Sequence, residues 1–252
     1  MTLSTILCEG QHDQAFWEGW LDRFAAQSLS PKDREEFQDS VKATGYASTN
    51  REHALRTSNG DFIGVRPVGS DSKILPTLRS LLRDRPKYEV NQIVVNLDPD
   101  TLSGDGKTGL RVADVLREVR KLNASAREEA SNILAFDGSA RIFLVRWEVV
   151  GETPAGVPEK QTLERLVCAA IQRAYPERAE DVAKWLVARR SADSTKPKAF
   201  VWSFMAGWHA DSGCTDFFKD VWRDAKIAAA LEQILRQNGT WRVVESLTNA
   251  QE

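Results

Sequence analysis

Three carboxylate side chains follow two apolar segments of the chain, and their positions indicate a metal site. Glu9 comes directly after residues 3–8, and Asp98 and Asp100 come after residues 92–97. Both segments are rich in aliphatic and β-branched residues, which favours buried strands. Ligands of an open α/β sheet bind beyond the carboxyl ends of its strands, so the three carboxylates should share one edge. Their mutual repulsion requires a cation between them, and oxygen ligands favour Mg²⁺ or Mn²⁺ over zinc.

A fourth carboxylate, Asp13, lies four residues after Glu9, in the first turn of a helix predicted over residues 12–27. From there it can point back towards the end of the first strand and join the metal ligands. The positive end of a helix dipole also attracts an acidic residue to the first turn. A purely stabilising role for Asp13 is therefore the alternative.

The turn at Gly69 and Ser70 precedes a helix predicted over residues 73–83. Backbone N–H groups at such a turn can hold a phosphate, although most turns of this type only cap a helix. A second glycine-rich stretch, residues 101–108, ends in Lys107 and Thr108. It lacks the spacing of a phosphate-binding P-loop, so that interpretation is rejected.

The composition describes an ordinary globular protein and excludes several classes. The chain has 252 residues, 42% hydrophobic and 28% charged, with a formal charge of −2. This charge argues against a polycation that binds nucleic acid by charge alone, but it allows a local basic cleft. Three scattered cysteines favour a reducing cytosol over a disulfide framework or zinc module. Without a signal-like N-terminus or a long apolar run, we expect a cytoplasmic protein that does not bind membranes.

The first part of the chain alternates between strand and helix patterns. This rhythm predicts a parallel βαβ sheet flanked by helices, an α/β class with Rossmann-like architecture. Polar residues 28–61 interrupt it and are interpreted as an insertion, with a short helix conceivable over 31–41. Strands are expected at 3–8, 62–68, 92–97 and 140–147, and helices at 12–27, 73–83 and 109–122.

The pattern becomes helical after a turn region with two prolines and two glycines at residues 151–158. We therefore expect an α/β core over 1–150 and a mainly helical extension over 151–252 that packs on it. A short edge strand is predicted at 241–244. The helices of the extension are expected at 161–174, 177–190, 199–208 and 217–237.

The strand-end residues resemble the TOPRIM domain, which occurs in topoisomerases, bacterial primases and several nucleases. The resemblance lies in Glu9-Gly10 with Asp13 after one strand, and Asp98-x-Asp100 after a later strand. It covers roughly residues 3–150. It implies a TOPRIM-like parallel sheet and cleavage of nucleic acid with two bound Mg²⁺ or Mn²⁺ ions. Glu9, Asp13, Asp98 and Asp100 would then hold the metals.

The C-terminal part is similar to the overcoming-lysogenisation-defect (OLD) branch of these nucleases. Glu164, in Thr-Leu-Glu, and Lys196, in Thr-Lys-Pro-Lys, match a glutamate and a lysine that follow the core in that branch. The resemblance implies that Glu164 completes one metal site and that Lys196 stabilises charge on the scissile phosphate. Lys198 is an alternative to Lys196, and Glu159 an alternative to Glu164.

The chain also departs from the larger members of these families. It has no Walker motif, so it lacks the ATPase of long OLD proteins, and it shows no topoisomerase-type tyrosine domain or primase zinc module. The resemblance implies nucleic acid as the partner, DNA ahead of RNA. It is compatible with a separate ATPase or regulatory protein as a further partner, and with a homodimer.

The leading hypothesis is a stand-alone metal-dependent endonuclease, for example an effector of phage defence. The first alternative is a catalytically inert TOPRIM-like module that binds nucleic acid or a protein partner. The second is a magnesium-dependent phosphatase, because an Asp-x-Asp after a strand also occurs in such enzymes. The separate strand-end Glu9 favours the nuclease over the phosphatase.

Overall fold

The computed structural model describes most of the chain, and the statements below concern the described residues. These are 3–24, 27–30, 33–35, 37, 52–84, 90–97, 112–138, 140–150, 162–188, 203 and 213–248.

An eight-stranded sheet forms the centre of the described structure. Its spatial order is β2-β3-β4-β1-β5-β8-β7-β6. The mixed sheet and its helices confirm the predicted α/β class. The strands are β1 (Leu3–Cys8), β2 (Gln27–Ser28), β3 (His53–Arg56), β4 (Phe62–Pro67), β5 (Val90–Leu97), β6 (Arg127–Ala130), β7 (Ile133–Ala135) and β8 (Arg141–Arg146).

The middle of the sheet is parallel, as the alternating pattern predicts. Strand β1 lies between β4 and β5 and runs parallel to both, with Leu7 opposite Arg66 on one side and Val95 on the other. All six residues of β1 are buried. Because the three strands run in the same direction, their carboxyl ends meet at one edge of the sheet.

The margins of the sheet are antiparallel, so the predicted parallel sheet is the central part of a larger mixed sheet. Strand β3 pairs antiparallel with β4, and β7 pairs antiparallel with both β6 and β8. Strand β3 belongs to the stretch 28–61, which therefore supplies part of the sheet. All four residues of β6 are exposed. Their polar sequence gives no strand pattern, because an exposed edge strand needs no apolar face.

Most predicted helices recur with shifted ends, but the first ends at Asp22 instead of residue 27, and Gln27–Ser28 is strand. It ends there because Arg23 N and Phe24 N bond to carbonyls three residues back, which tightens the last turn. A predicted single helix over 217–237 is two helices, because the Asp224 carboxylate accepts hydrogen bonds from Lys226 N and Ile227 N and starts a new helix. The strand expected at 241–244 is helical. Of the helix predicted over 199–208, only Ser203 is described, and it is helical. The helices are α1 (Gln11–Asp22), α2 (Asp71–Asp84), α3 (Val112–Leu122), α4 (Leu163–Ala174), α5 (Pro176–Ala188), α6 (Cys214–Asp220), α7 (Ala225–Gln237) and α8 (Trp241–Thr248).

The sheet core contains apolar residues from the strands and from α2 and α3, including Ile74, Leu78 and Val119. Helix α1 contributes the stacked pair Trp17 and Trp20, whose ring centroids lie 5.0 Å apart, and both rings are fully buried. Burying such large rings stabilises the fold, by about 25 cal/mol for each Å² of apolar surface removed from water.

The described residues fall into two compact units. One contains those within 1–97, 110–145 and 243–248, and the other those within 146–242. The second unit is helical, and α4 is its most buried helix, with nine buried residues from Leu163 to Ile171. None of the helices in the described ranges is long and apolar enough to cross a membrane.

Candidate metal centre

Glu9 is half-buried at the point where β1 ends. Its carbonyl oxygen accepts a hydrogen bond of 2.8 Å from Gly69 N, and the Cys8 carbonyl accepts one of 2.9 Å from Val68 N. These bonds extend the β1–β4 pairing past the ends of both strands. They fix the backbone that carries the Glu9 side chain.

Asp13 lies in the first turn of α1 and bonds to the turn that precedes it. Gly10 N donates to Asp13 Oδ2 at 3.2 Å, and Gln14 N donates to the Gly10 carbonyl at 3.1 Å. The hydrogen bond from Gly10 N supports the alternative role of Asp13, which is to stabilise the start of the helix. The same contact keeps the carboxylate beside the residue that follows Glu9.

Several negative charges surround the buried Cys8 thiol. Burial is the main cause that raises its pKa, and Asp13, Glu18 and Glu9 raise it further through their charges. Glu18 was not identified from the sequence. Glu18 lies on α1 one helical turn after Gln14, and this spacing puts the two residues on the same face of the helix. That position is the only feature of the local sequence that indicates where Glu18 points.

Glu18 is held by a chain of hydrogen bonds that links α1 to the sheet. His53 Nδ1 lies 3.2 Å from Glu18 Oε1, and His53 Nε2 lies 3.1 Å from Ser28 Oγ. The Glu18 side chain is 14% exposed. The imidazole thus fixes the orientation of a largely buried carboxylate near the end of β1.

The end of β5 is anchored by a buried side-chain contact. Trp17 Nε1 donates to Asn96 Oδ1 at 2.8 Å, and Asn96 is 3% exposed. Leu97 stands two residues beyond the Leu7–Val95 pair in β5, just as Glu9 stands two residues beyond it in β1. The parallel register therefore brings the two strand ends to the same edge. Asp98 and Asp100, which follow Leu97 in sequence, lie outside the described residues.

The Gly69-Ser70 turn is joined to the same edge. Gly69 has a positive φ of 91°, and its N–H donates to Glu9, so this N–H is engaged within the protein. The Ser70 carbonyl accepts from Lys73 N at 3.0 Å, which begins α2. The Lys73 amine lies 3.9 Å from the position that a Cβ would take on Gly69. Lys73 is a cation beside this turn that the sequence interpretation overlooked, although a lysine shortly after a Gly-Ser turn was a usable signal.

Glu164 belongs to the helical unit, in the first turn of α4. Thr162 Oγ1 caps this helix by accepting from Arg165 N at 3.4 Å, and Glu164 itself is buried. Burial raises the pKa of the Cys168 thiol, and the Glu164 charge raises it further. Lys196, Lys198 and Glu159 lie outside the described residues.

The donor types at the end of β1 suit a hard divalent cation. Glu9 and Asp13 offer carboxylate oxygens, the ligands that Mg²⁺ and Mn²⁺ prefer, whereas the Glu18 carboxylate is engaged by His53. Within the described part of the chain, no group of three His, Cys, Asp or Glu side chains could hold a metal ion by itself. The predicted ligand set includes Asp98 and Asp100, so the described carboxylates are only part of it.

The fold has a counterpart among solved structures. The chain is similar to the crystal structure of hypothetical protein PH0156 from Pyrococcus horikoshii OT3, with a TM-score of 0.74 over 98% of this chain and 99% of that chain. At 14% sequence identity, this similarity shows a shared α/β fold. No protein-family model and no curated protein matches the sequence.

Proposed function

We propose that this protein is a metal-dependent endonuclease that hydrolyses phosphodiester bonds with a TOPRIM-like site. One observation carries the proposal: β1 and β5 are parallel neighbours, so Glu9 lies at the edge where β5 ends one residue before Asp98. A strand-end glutamate beside a strand that leads into Asp-x-Asp is the arrangement that the TOPRIM resemblance requires.

Divalent ions held by carboxylates activate an attacking water and stabilise the leaving oxygen, often as a pair about 3.5–4 Å apart. In this proposal Glu9, Asp98 and Asp100 would hold the ions. Asp13 and Glu164 would complete the ligand set. Lys196, or Lys198 in its place, contributes positive charge to the scissile phosphate.

The described residues also support contact with a polyanion at this edge. Lys73 lies beside Gly69, and Arg66 is the penultimate residue of β4. Neither forms an ion pair within the described ranges. Two such cations offer positions for backbone phosphates in a chain whose net charge is −2. We take DNA ahead of RNA as the substrate.

The expected cellular compartment and partners follow from the same proposal. Cys8 and Cys168 are free, buried thiols, which suits a reducing cytoplasm. The sequence contains no Walker motif, and a defence effector that a separate ATPase or regulatory protein releases, as a monomer or a homodimer, fits the proposal.

The decisive experiment is cleavage of supercoiled plasmid, single-stranded DNA and structured RNA with Mg²⁺ or Mn²⁺, beside an EDTA control. The test variant is Asp98→Ala/Asp100→Ala. The matched control is Glu128→Ala/Glu177→Ala, which removes two exposed carboxylates on β6 and α5. We expect metal-dependent cutting by the native and control proteins, and loss of cutting in the test variant.

Other outcomes separate the alternatives. Turnover of p-nitrophenyl phosphate without cutting of polynucleotides would replace the nuclease by a phosphatase. Binding of nucleic acid with no cleavage, and with no heat of Mn²⁺ binding in calorimetry, would indicate an inert binding module.

Lys73 provides a narrower test of the phosphate contact. Lys73→Gln should weaken DNA binding at low salt and reduce the slope of log K against log salt by about 1, because one phosphate contact is lost. Lys184→Gln is the control, since Lys184 is exposed on α5 and paired with Glu180 at 2.7 Å. An unchanged slope in Lys73→Gln would remove Lys73 from the interface.

A further inference from the structure

A polar cavity lies beside the first residues of β5, at the opposite end of the parallel strands from Glu9. Its volume is about 380 Å³, which is within the usual size of small-ligand pockets, about 300–1,000 Å³. The start of β5, strand β6, the turn at 136–138 and the start of β8 line it. Since β1 and β5 are parallel, the first residues of β5 lie a full strand length away from the end of β1.

Two guanidinium groups and two carboxylates line this cavity, so its formal charges balance. Arg141 Nε lies 3.2 Å from Glu129 Oε2, so one cation is compensated within the cavity wall. Arg127, on the exposed strand β6, forms no ion pair within the described part of the chain. A guanidinium without a carboxylate partner is suited to bind an anion, and a phosphate can accept two of its N–H groups at once.

One buried acceptor in the cavity wall lacks a hydrogen-bond donor. Gln92 Oε1 is buried and has no hydrogen-bond partner in the described residues, while its Nε2 lies 3.4 Å from Ser246 Oγ. A buried acceptor without a donor is costly in free energy, and a bound donor would recover that cost. Asp137 adds a carboxylate, whose Oδ1 accepts from Ala140 N at 2.9 Å. A bare anion would satisfy Arg127 but not Gln92 Oε1.

We propose that this cavity is a binding site for a nucleoside monophosphate. The phosphate would pair with Arg127, and an N–H or hydroxyl donor of the base or ribose would reach Gln92 Oε1. A molecule of this class carries both an anion and several donors, and its size suits the cavity. The inference does not depend on the proposed nuclease, because it uses none of the residues at the end of β1.

Titration calorimetry of the full-length protein with AMP, adenosine and inorganic phosphate tests the proposal. AMP should bind more tightly than either fragment, because only AMP meets both the cation and the acceptor. Arg127→Gln should weaken AMP binding roughly 10- to 100-fold, the usual value of a hydrogen bond to a charged group. Gln92→Met should weaken AMP and adenosine but leave phosphate binding unchanged.

Arg173→Gln is the matched control, since Arg173 is an exposed arginine in the last turn of α4, outside the cavity. Thermal melts establish that each variant is folded before its affinity is compared. Three results would overturn the proposal: no heat with AMP at millimolar concentration, AMP binding no tighter than phosphate, or equal AMP affinity in Arg127→Gln and Arg173→Gln.

Discussion

The two ends of the parallel strands β1 and β5 differ in charge and in construction. At the carboxyl end, Glu9 directly follows β1, and Asp13 lies four residues later in the first turn of α1. At the amino end, the cavity combines Gln92 with Arg127 and Arg141, which come from three different strands. The carboxyl end thus presents Glu9 and Asp13, whereas the amino end combines two guanidinium groups with the Glu129 and Asp137 carboxylates.

This difference shows two ways in which a sheet assembles a polar site. Parallel strands bring their carboxyl ends together whatever the connections between them, so strand-end residues form a site by topology alone. The cavity instead needs an antiparallel hairpin, β6–β7, and the pairing of β7 with β8. Its composition follows from register rather than from strand direction.

The sharpest test of the comparison changes one residue at each end of the strands and measures both proposed functions. Glu9→Gln should reduce metal-dependent cleavage about 100-fold or more, because a neutral amide is a poor ligand for a hard cation, while AMP affinity stays unchanged. Arg127→Gln should give the reverse pattern. Cleavage assays and calorimetry on both variants check this, and a variant that loses both functions would mean that the two edges are not independent.

A smaller effect is expected from loss of the buried hydrogen bond between Trp17 and Asn96, near the carboxyl end of β5. Asn96→Leu leaves the Trp17 indole N–H without the acceptor that now lies at 2.8 Å. We expect the free energy of unfolding to fall by about 1–3 kcal/mol. Urea denaturation measures it, and AMP affinity should remain native if the strain stays at this end. A Trp17→Phe/Asn96→Leu double variant should lose less than the sum of the two single changes.

The next test addresses the scaffold that both edges share. Lys121 and Arg79 hydrogen-bond to Glu118 on α3 and lower its pKa below the ordinary value of 4.5. A lowered folded-state pKa stabilises the protein above the unfolded value, and that contribution is lost as pH falls below about 4.5 through the folded value. Glu118→Gln should reduce stability at pH 7 by about 0.5–1 kcal/mol and flatten this acid dependence. Glu128→Gln, at an exposed residue of β6, should leave the melting curve at pH 7 native.

The smallest effect is expected beside the cavity. The Gln92–Ser246 contact is long, at 3.4 Å, so it contributes little. Ser246→Ala should change the free energy of unfolding by less than about 0.5 kcal/mol. A loss above about 2 kcal/mol in urea denaturation would show instead that this hydroxyl is a structural anchor of the cavity wall.

The residues at the carboxyl ends of β1 and β5 differ in how far the sequence predicted them. The apolar runs before Glu9 and Asp98 predicted β1 and β5, and the structure confirms both strands. Lys73 and Glu18 were overlooked because a single charged residue on a helix is usually a solvated one. His53 lies in the stretch 28–61, where a short polar strand has no distinctive pattern, so its contact with Glu18 was not predictable.

The sequence by itself determined the elements whose signals are local. Runs of apolar residues specify the buried parallel strands, and helical spacing specifies α1, because each pattern reports which face of an element is removed from water. Tertiary structure alone decided which distant residues meet. Trp17 and Asn96 are 79 residues apart, and Gln92 and Ser246 are 154 apart. Such contacts depend on strand order and register, which are set by the packing of the whole sheet and leave no periodic trace in the chain.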